Sequence, residues 1–219
     1  MDLDALRLAV YRSFAERGHP PSFDELAPEV DADPSAVAAC LRELATARHL
    51  VLDSVGRIVM AHPFSAVPMG FSVMGQHTLW WGGCAWDSFA LPHLLLDEPG
   101  LLVATRCPNC DKALAWVVHR DGPPEGDEVA HFLVPVAHMW DDVLHTCGNQ
   151  RLFCSPDCVD GWLERTSNDR GYVMDLSTLW RLAEHWYDGR LDAGYLRREP
   201  AQAADYLRSV GLVGEFWGT

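Results

Sequence analysis

Trp80-Trp81-Gly82-Gly83-Cys84-Ala85-Trp86-Asp87 is the stretch from which the rest of the chain is read. Paired glycines permit a turn and let backbone come close to another group. If a helix starts after them, Cys84 falls in its first turn, where free N–H groups and the positive end of the helix dipole favour a thiolate. Residues three apart share a helix face, so Cys84 and Asp87 point into the same space. A soft nucleophile beside a proton donor, walled by Trp80, Trp81 and Trp86, is a unit that can do chemistry. The plainer alternative is a buried structural cysteine, a surface aspartate and ordinary aromatic core.

Moving outward, 219 residues can bury a sizeable core, as one domain or one plus an appendage. A composition of 48% hydrophobic and 22% charged residues is that of a soluble globular protein. The formal charge of -14 argues against a nucleic-acid groove, which needs a basic surface. Apolar runs fall short of the roughly 20 residues a membrane span requires. The start, Met1-Asp2-Leu3-Asp4, lacks the basic residues of a signal peptide, so a cytoplasmic protein is expected. Seven cysteines are odd for a disulfide framework; in a reducing compartment, closely spaced thiols point to metal or catalysis.

Upstream, residues 2–17 read as an amphipathic helix with Leu3, Leu6, Val10 and Phe14 along one stripe, ended by Gly18-His19-Pro20-Pro21. Ser22-x-x-Glu25 has the capping-box spacing for a short second helix, and Pro34 opens a third that turns Val37, Cys40, Leu41 and Leu44 inward. Leu50–Leu52 and Ile58–Met60 flank a turn and form a hairpin. Three helices and a hairpin suggest a winged-helix-like unit over 1–62. Its third helix offers only Arg42 and Arg48 beside Glu43, so the unit is read as structural rather than DNA-binding. Downstream, strands are expected at Phe71–Met74, His77–Trp81, Leu101–Thr105, Ala113–His119 and Phe132–Val136. Helices are expected at Ser155–Glu164, Ser177–Tyr187 and Pro200–Val210, with Phe216-Trp217 tucked against the body.

Two further sets of thiols carry chemistry. Cys107-Pro108-Asn109-Cys110 aims two sulfurs at one point, and Cys154-Ser155-Pro156-Asp157-Cys158 at a strand-to-helix junction can complete a tetrahedral zinc shell. The phrase Phe153-Cys154-Ser155-x-x-Cys158, followed by Trp162, resembles small treble-clef zinc knuckles. Cys107, Cys110, Cys154 and Cys158 are therefore expected to hold a structural zinc; two reduced thiol pairs, or a redox dithiol at Cys107 and Cys110, are the alternatives. Cys147, in His145-Thr146-Cys147-Gly148-Asn149-Gln150, stands apart, with Gly148 again permitting close backbone approach.

Taken in order, the helical N-terminal region, Ala61-His62-Pro63-Phe64-Ser65, Cys84-Ala85-Trp86-Asp87, and Cys147 before Leu152-Phe153 and Ser155 resemble the alkylmercury (organomercurial) lyase family. The resemblance spans most of residues 1–165. It implies an α+β fold: a helical domain, here 1–62, then a mixed α/β core with antiparallel sheet, here 63–219 with a C-terminal helical tail. It also implies a catalytic set of Cys84, Asp87 and Cys147. The four-cysteine group and the long tail with Trp180, Trp186 and Trp217 depart from the family's basic pattern, although Cys107 falls near a further cysteine that the family often carries.

Mercury(II) is soft and prefers thiolates. Cys84 and Cys147 would grip R–Hg⁺ while Asp87 delivers a proton to carbon, with no cofactor needed for catalysis. A small organometallic substrate is expected, and neither nucleic acid nor membrane as partner. Two alternatives stand beside this reading. One is a diverged enzyme of specialised metabolism using Cys84 as nucleophile on a non-mercurial substrate. The other is a non-catalytic binding protein for copper, zinc or mercury.

Overall fold

The computed structural model describes residues 2–31 and 33–219; Met1 and Ala32 lie outside the described residues. The chain opens with three helices, α1 (Leu3–Arg17), α2 (Phe23–Glu29) and α3 (Pro34–Thr46). Each start is capped by a short polar side chain that satisfies otherwise free N–H groups: Asp2 for α1, Ser22 in a full capping box with Glu25 for α2, Asp33 for α3. Gly18 ends α1 in the left-handed region at φ 79°, and a Cβ there would lie 2.2 Å from the Leu79 carbonyl oxygen. Leu6, Val10, Phe14, Leu26, Val37 and Leu41 meet between the three helices. Cys40, read as core, is only half-buried.

The hairpin β1 (Val51–Leu52) and β2 (Ile58–Ala61) leads directly into a larger sheet. With β3 (Phe64–Ser65), β4 (Phe71–Met74), β5 (Leu79–Gly82), β6 (Leu101–Arg106) and β7 (Ala113–Val118) it forms seven strands in the order β1-β2-β3-β5-β4-β6-β7. A second sheet places β8 (Val129–Phe132) between β9 (Gln150–Phe153) and β10 (Tyr172–Asp175). Every strand pairing is antiparallel, giving the α+β class expected. In β6 and β7 buried and solvent-facing residues alternate, with Leu101, Val103, Leu114, Trp116 and Val118 inward.

The helix α4 (Ala85–Leu94) lies at the centre, against β4, β5, β6 and β9 and beside α7 (Leu176–Glu184). Ala85 through Pro92 are all buried, as expected of a helix covered on every side. Around it run α5 (Val143–Gly148), α6 (Pro156–Thr166) and α8 (Pro200–Ser209). Trp217 is 1% exposed and packs on Phe132 and Tyr172, the tuck expected of the C-terminal aromatics.

Two strands sit at other places than the sequence reading gives them, and the helix expected to run to Tyr187 ends at Glu184. The strand expected at Phe132–Val136 sits at Val129–Phe132, because Pro135 has no N–H for a ladder and instead leads a short 3-10 turn, Val136–His138. The strand expected from His77 starts at Leu79, because Gly75 and Thr78 close a turn first. Among the described residues no helix is long and apolar enough to cross a membrane.

Candidate active site

The buried site grows from the N-terminus of α4. Cys84 is the N-cap rather than a first-turn residue: its backbone is extended and its Sγ accepts from the Asp87 N–H at 3.4 Å. The sulfur therefore takes the place that a serine or aspartate oxygen has at other helix starts, at the positive end of the dipole. The two preceding glycines are needed for space. A Cβ on Gly82 would lie 2.0 Å from Ser88 Oγ, and one on Gly83 would lie 2.3 Å from Asp87 Oδ2 and 2.5 Å from Met60 Cε. The missing side chains leave room for the Ser88 hydroxyl and the Asp87 carboxyl of α4 beside the end of β5.

Cys147 comes from α5 and reaches the same place. His62 Nε2 lies 3.4 Å from Cys147 Sγ and 3.9 Å from Asp87 Oδ2, the three offer ligand atoms within 4.8 Å of one another, and Cys84 adjoins them through the Asp87 N–H. Cys84, Asp87 and Cys147 are 2%, 1% and 5% exposed, so the cluster is shielded from bulk water. Trp140 packs edge-on against His62 at 5.8 Å, and the guanidinium groups of Arg48 and Arg197 lie over its ring.

This environment sorts the protons. Burial, then the Cys147 sulfur and the Asp87 carboxyl, push the Cys84 thiol well above its usual range, so Cys84 keeps its proton. Cys147 moves the other way, down to about 7, because the Cys84 thiol donates to its sulfur and, against the cost of burial, His62 adds positive charge. Burial works against a charge on His62, but Asp87 and Cys147 outweigh it and raise the imidazole. Asp87 is raised by burial, with His62 and a hydrogen bond from Tyr187 pulling back. The two thiols are thus split, Cys84 upward and Cys147 downward, beside a carboxyl raised above its ordinary range.

The sequence reading places Cys84, Asp87 and Cys147 in one site, and the structure brings them together. Three supporting residues escape that reading. His62 belongs to the Ala61–Ser65 segment of the family pattern, which by itself gives the imidazole no role. Tyr187, just beyond α7, donates its hydroxyl to Asp87 Oδ1 at 2.5 Å. Arg190, 5% exposed, lies over the Tyr187 ring and donates to the Tyr11 hydroxyl at 3.1 Å. Arg7 on α1 in turn donates to the Arg190 and Asp192 carbonyls at 2.7 and 2.6 Å. The tail read as an extra feature thus supplies part of the site.

The three tryptophans separate. Trp80 is held by α1, donating to the Phe14 carbonyl at 2.8 Å. Trp81 is half-buried on β5, opposite Ser65 and Ser72. Trp86 stacks on Phe132 and tilts against Trp186. Away from this cluster, Cys107, Cys110, Cys154 and Cys158 meet with their sulfurs all within 4.8 Å of one another.

A family profile described as "MerB: Alkylmercury lyase" matches residues 64–188. A crystal structure of the mercury-bound form of MerB2 superimposes with a TM-score of 0.65 at 18% identity, covering 87% of this chain and 91% of that one. At that identity the likeness speaks for the fold. No curated protein sequence matches.

Proposed function

The chain belongs to the alkylmercury lyase family and is a carbon–mercury lyase, and from that premise we propose that Cys84 and Cys147 bind the mercury of an organomercurial while Asp87 protonates the departing carbon. The observation that carries this reading is that the Cys147 sulfur and the buried Asp87 carboxyl lie within 4.8 Å of each other while the Asp87 N–H donates to the Cys84 sulfur.

Cys147 attacks R–Hg⁺ first as the thiolate, since its pKa, lowered to about 7, makes it the readier of the two sulfurs to ionise. The Cys84 thiol passes its proton to the Asp87 carboxylate as its own sulfur bonds mercury. Two thiolates push electron density onto the metal and weaken the carbon–mercury bond. Asp87 then hands the proton to carbon, releasing R–H and leaving Hg(II) on both sulfurs with Asp87 ionised again. Tyr187 holds Oδ1, and Oδ2 is buried without a hydrogen-bond partner, so Oδ2 is the oxygen free to carry the proton. His62, Tyr187 and Arg190 are positioning residues that set the charge of the groups reacting with substrate. Seven free thiols suit a reducing compartment, and we assign the protein to the cytoplasm.

The test is turnover of phenylmercury acetate by the wild type and by Cys84→Ser, with benzene measured by gas chromatography. Benzene release by the wild type and its loss in Cys84→Ser are expected. Mercury uptake without benzene from the wild type would reduce the protein to a binder, and full turnover by Cys84→Ser would remove Cys84 from the mechanism.

A further inference from the structure

The second thiol cluster has no part in that chemistry. Cys107 and Cys110 lie in the turn between β6 and β7, at the edge of the seven-stranded sheet. Cys154 follows β9 of the three-stranded sheet, and Cys158 sits in the first turn of α6. Cys110 Sγ is 3.5 Å from Cys154 Sγ and 4.0 Å from Cys158 Sγ. Four sulfurs about 2.3 Å from one tetrahedral centre would be roughly 3.8 Å apart, whereas a disulfide bond is about 2.05 Å long. The spacing is that of a tetrathiolate shell, and all four thiols are free.

The surroundings are built for it as well. The Cys107 N–H donates to the Lys112 carbonyl at 3.0 Å and the Asp111 N–H to the Cys107 carbonyl at 2.9 Å, closing the turn that carries Cys107 and Cys110. From α6, Arg165 donates to Asn109 Oδ1 at 2.5 Å and to the Pro108 carbonyl at 2.9 Å, fixing the turn from outside. Gly161 lets α6 lie against that turn, since a Cβ there would come 3.0 Å from Asn109 Nδ2. Outer contacts of this kind orient metal ligands.

We propose that Cys107, Cys110, Cys154 and Cys158 hold one zinc ion that ties the edge of the seven-stranded sheet to the start of α6. Four thiolates with no open position form a closed structural shell rather than a catalytic one. The tie falls one strand after Cys147: α5, β9 and Cys154 are consecutive. The zinc thereby anchors the segment that presents Cys147 to Cys84. It also removes four thiols from competition for a soft metal substrate, leaving the buried pair as the open sulfur site.

The experiment is metal analysis by inductively coupled plasma mass spectrometry on reduced protein purified without added metal. About one zinc per chain is expected in the wild type and equally in the double variant Cys84→Ser, Cys147→Ser, so the result is independent of lyase activity. Cobalt(II) exchanged into that double variant is expected to give the intense d–d and thiolate charge-transfer bands of a tetrahedral tetrathiolate. Zinc-free wild-type protein, bound iron in place of zinc, zinc lost with Cys84 and Cys147, or a six-coordinate cobalt spectrum would each overturn the proposal. Cys154→Ser, Cys158→Ser is expected to lose the zinc; because it can also fail to fold, the wild-type stoichiometry and the cobalt spectrum decide.

Discussion

The Tyr187 hydroxyl donates to Asp87 Oδ1 at 2.5 Å across 100 residues of sequence. The bond stabilises the ionised carboxylate and so opposes the burial that raises Asp87. In Tyr187→Phe the carboxyl should rise further. The mechanism starts with Asp87 ionised to receive the Cys84 proton, so the rising acid limb of kcat is expected to move to higher pH. Steady-state kinetics across pH checks this; an unmoved limb with only a lowered melting temperature would mark Tyr187 as packing alone.

Asp87→Asn keeps the shape of the carboxyl but cannot deliver its proton. General acid catalysis is typically worth about 10²–10⁴-fold, and a loss of turnover in that range is expected with mercury uptake retained. Single-turnover hydrocarbon release and mercury titration, run on the same preparation, separate the two. Near-normal release would exclude Asp87 as the donor.

His62 contributes to the low value of Cys147, about 7 against an ordinary thiol at 9.0. A depressed thiol is ionised above its folded pKa, so wild-type reactivity at Cys147 should climb as pH rises through about 7. His62→Gln removes positive charge, and the climb should move to higher pH. Wherever the thiol is mostly protonated, a pKa higher by about one leaves about tenfold less thiolate. The rate of alkylation at Cys147 against pH, read by peptide mass spectrometry, reports the change. The same curve for wild type and variant would rule out the imidazole's influence.

Gly83→Ala adds a Cβ 2.3 Å from Asp87 Oδ2. Crowding of this sort in a packed core costs about 1–3 kcal/mol, or roughly 2–4 °C of melting temperature per kcal/mol in a chain of this size. The displaced carboxyl should also lower kcat more than it raises KM. Calorimetry and kinetics on one variant test both effects, and an unchanged kcat would mean the carboxyl tolerates the displacement.

The parts of the site legible in the sequence are those encoded locally. Cys84 and Asp87 follow from one helix start, the zinc-knuckle thiols from two short spacings, and Cys147 from its place in an ordered family pattern. His62 is one of ten histidines and finds its partner 85 residues away, with no periodicity to single it out. Tyr187 ends an expected helix and Arg190 follows it in the tail that departs from the family's basic pattern, where no motif singles either out. The fold follows a similar rule: capped helices and alternating strands are legible, while six-residue α5 and the edges of β5 and β8 are set by turns and Pro135.

The clasp of Arg7 on the Arg190 and Asp192 carbonyls joins the first helix to a late segment of the chain. Tyr187, which donates to Asp87, lies just before that segment, so on the proposed mechanism the acid is tuned only once the two distant ends of the molecule have found each other.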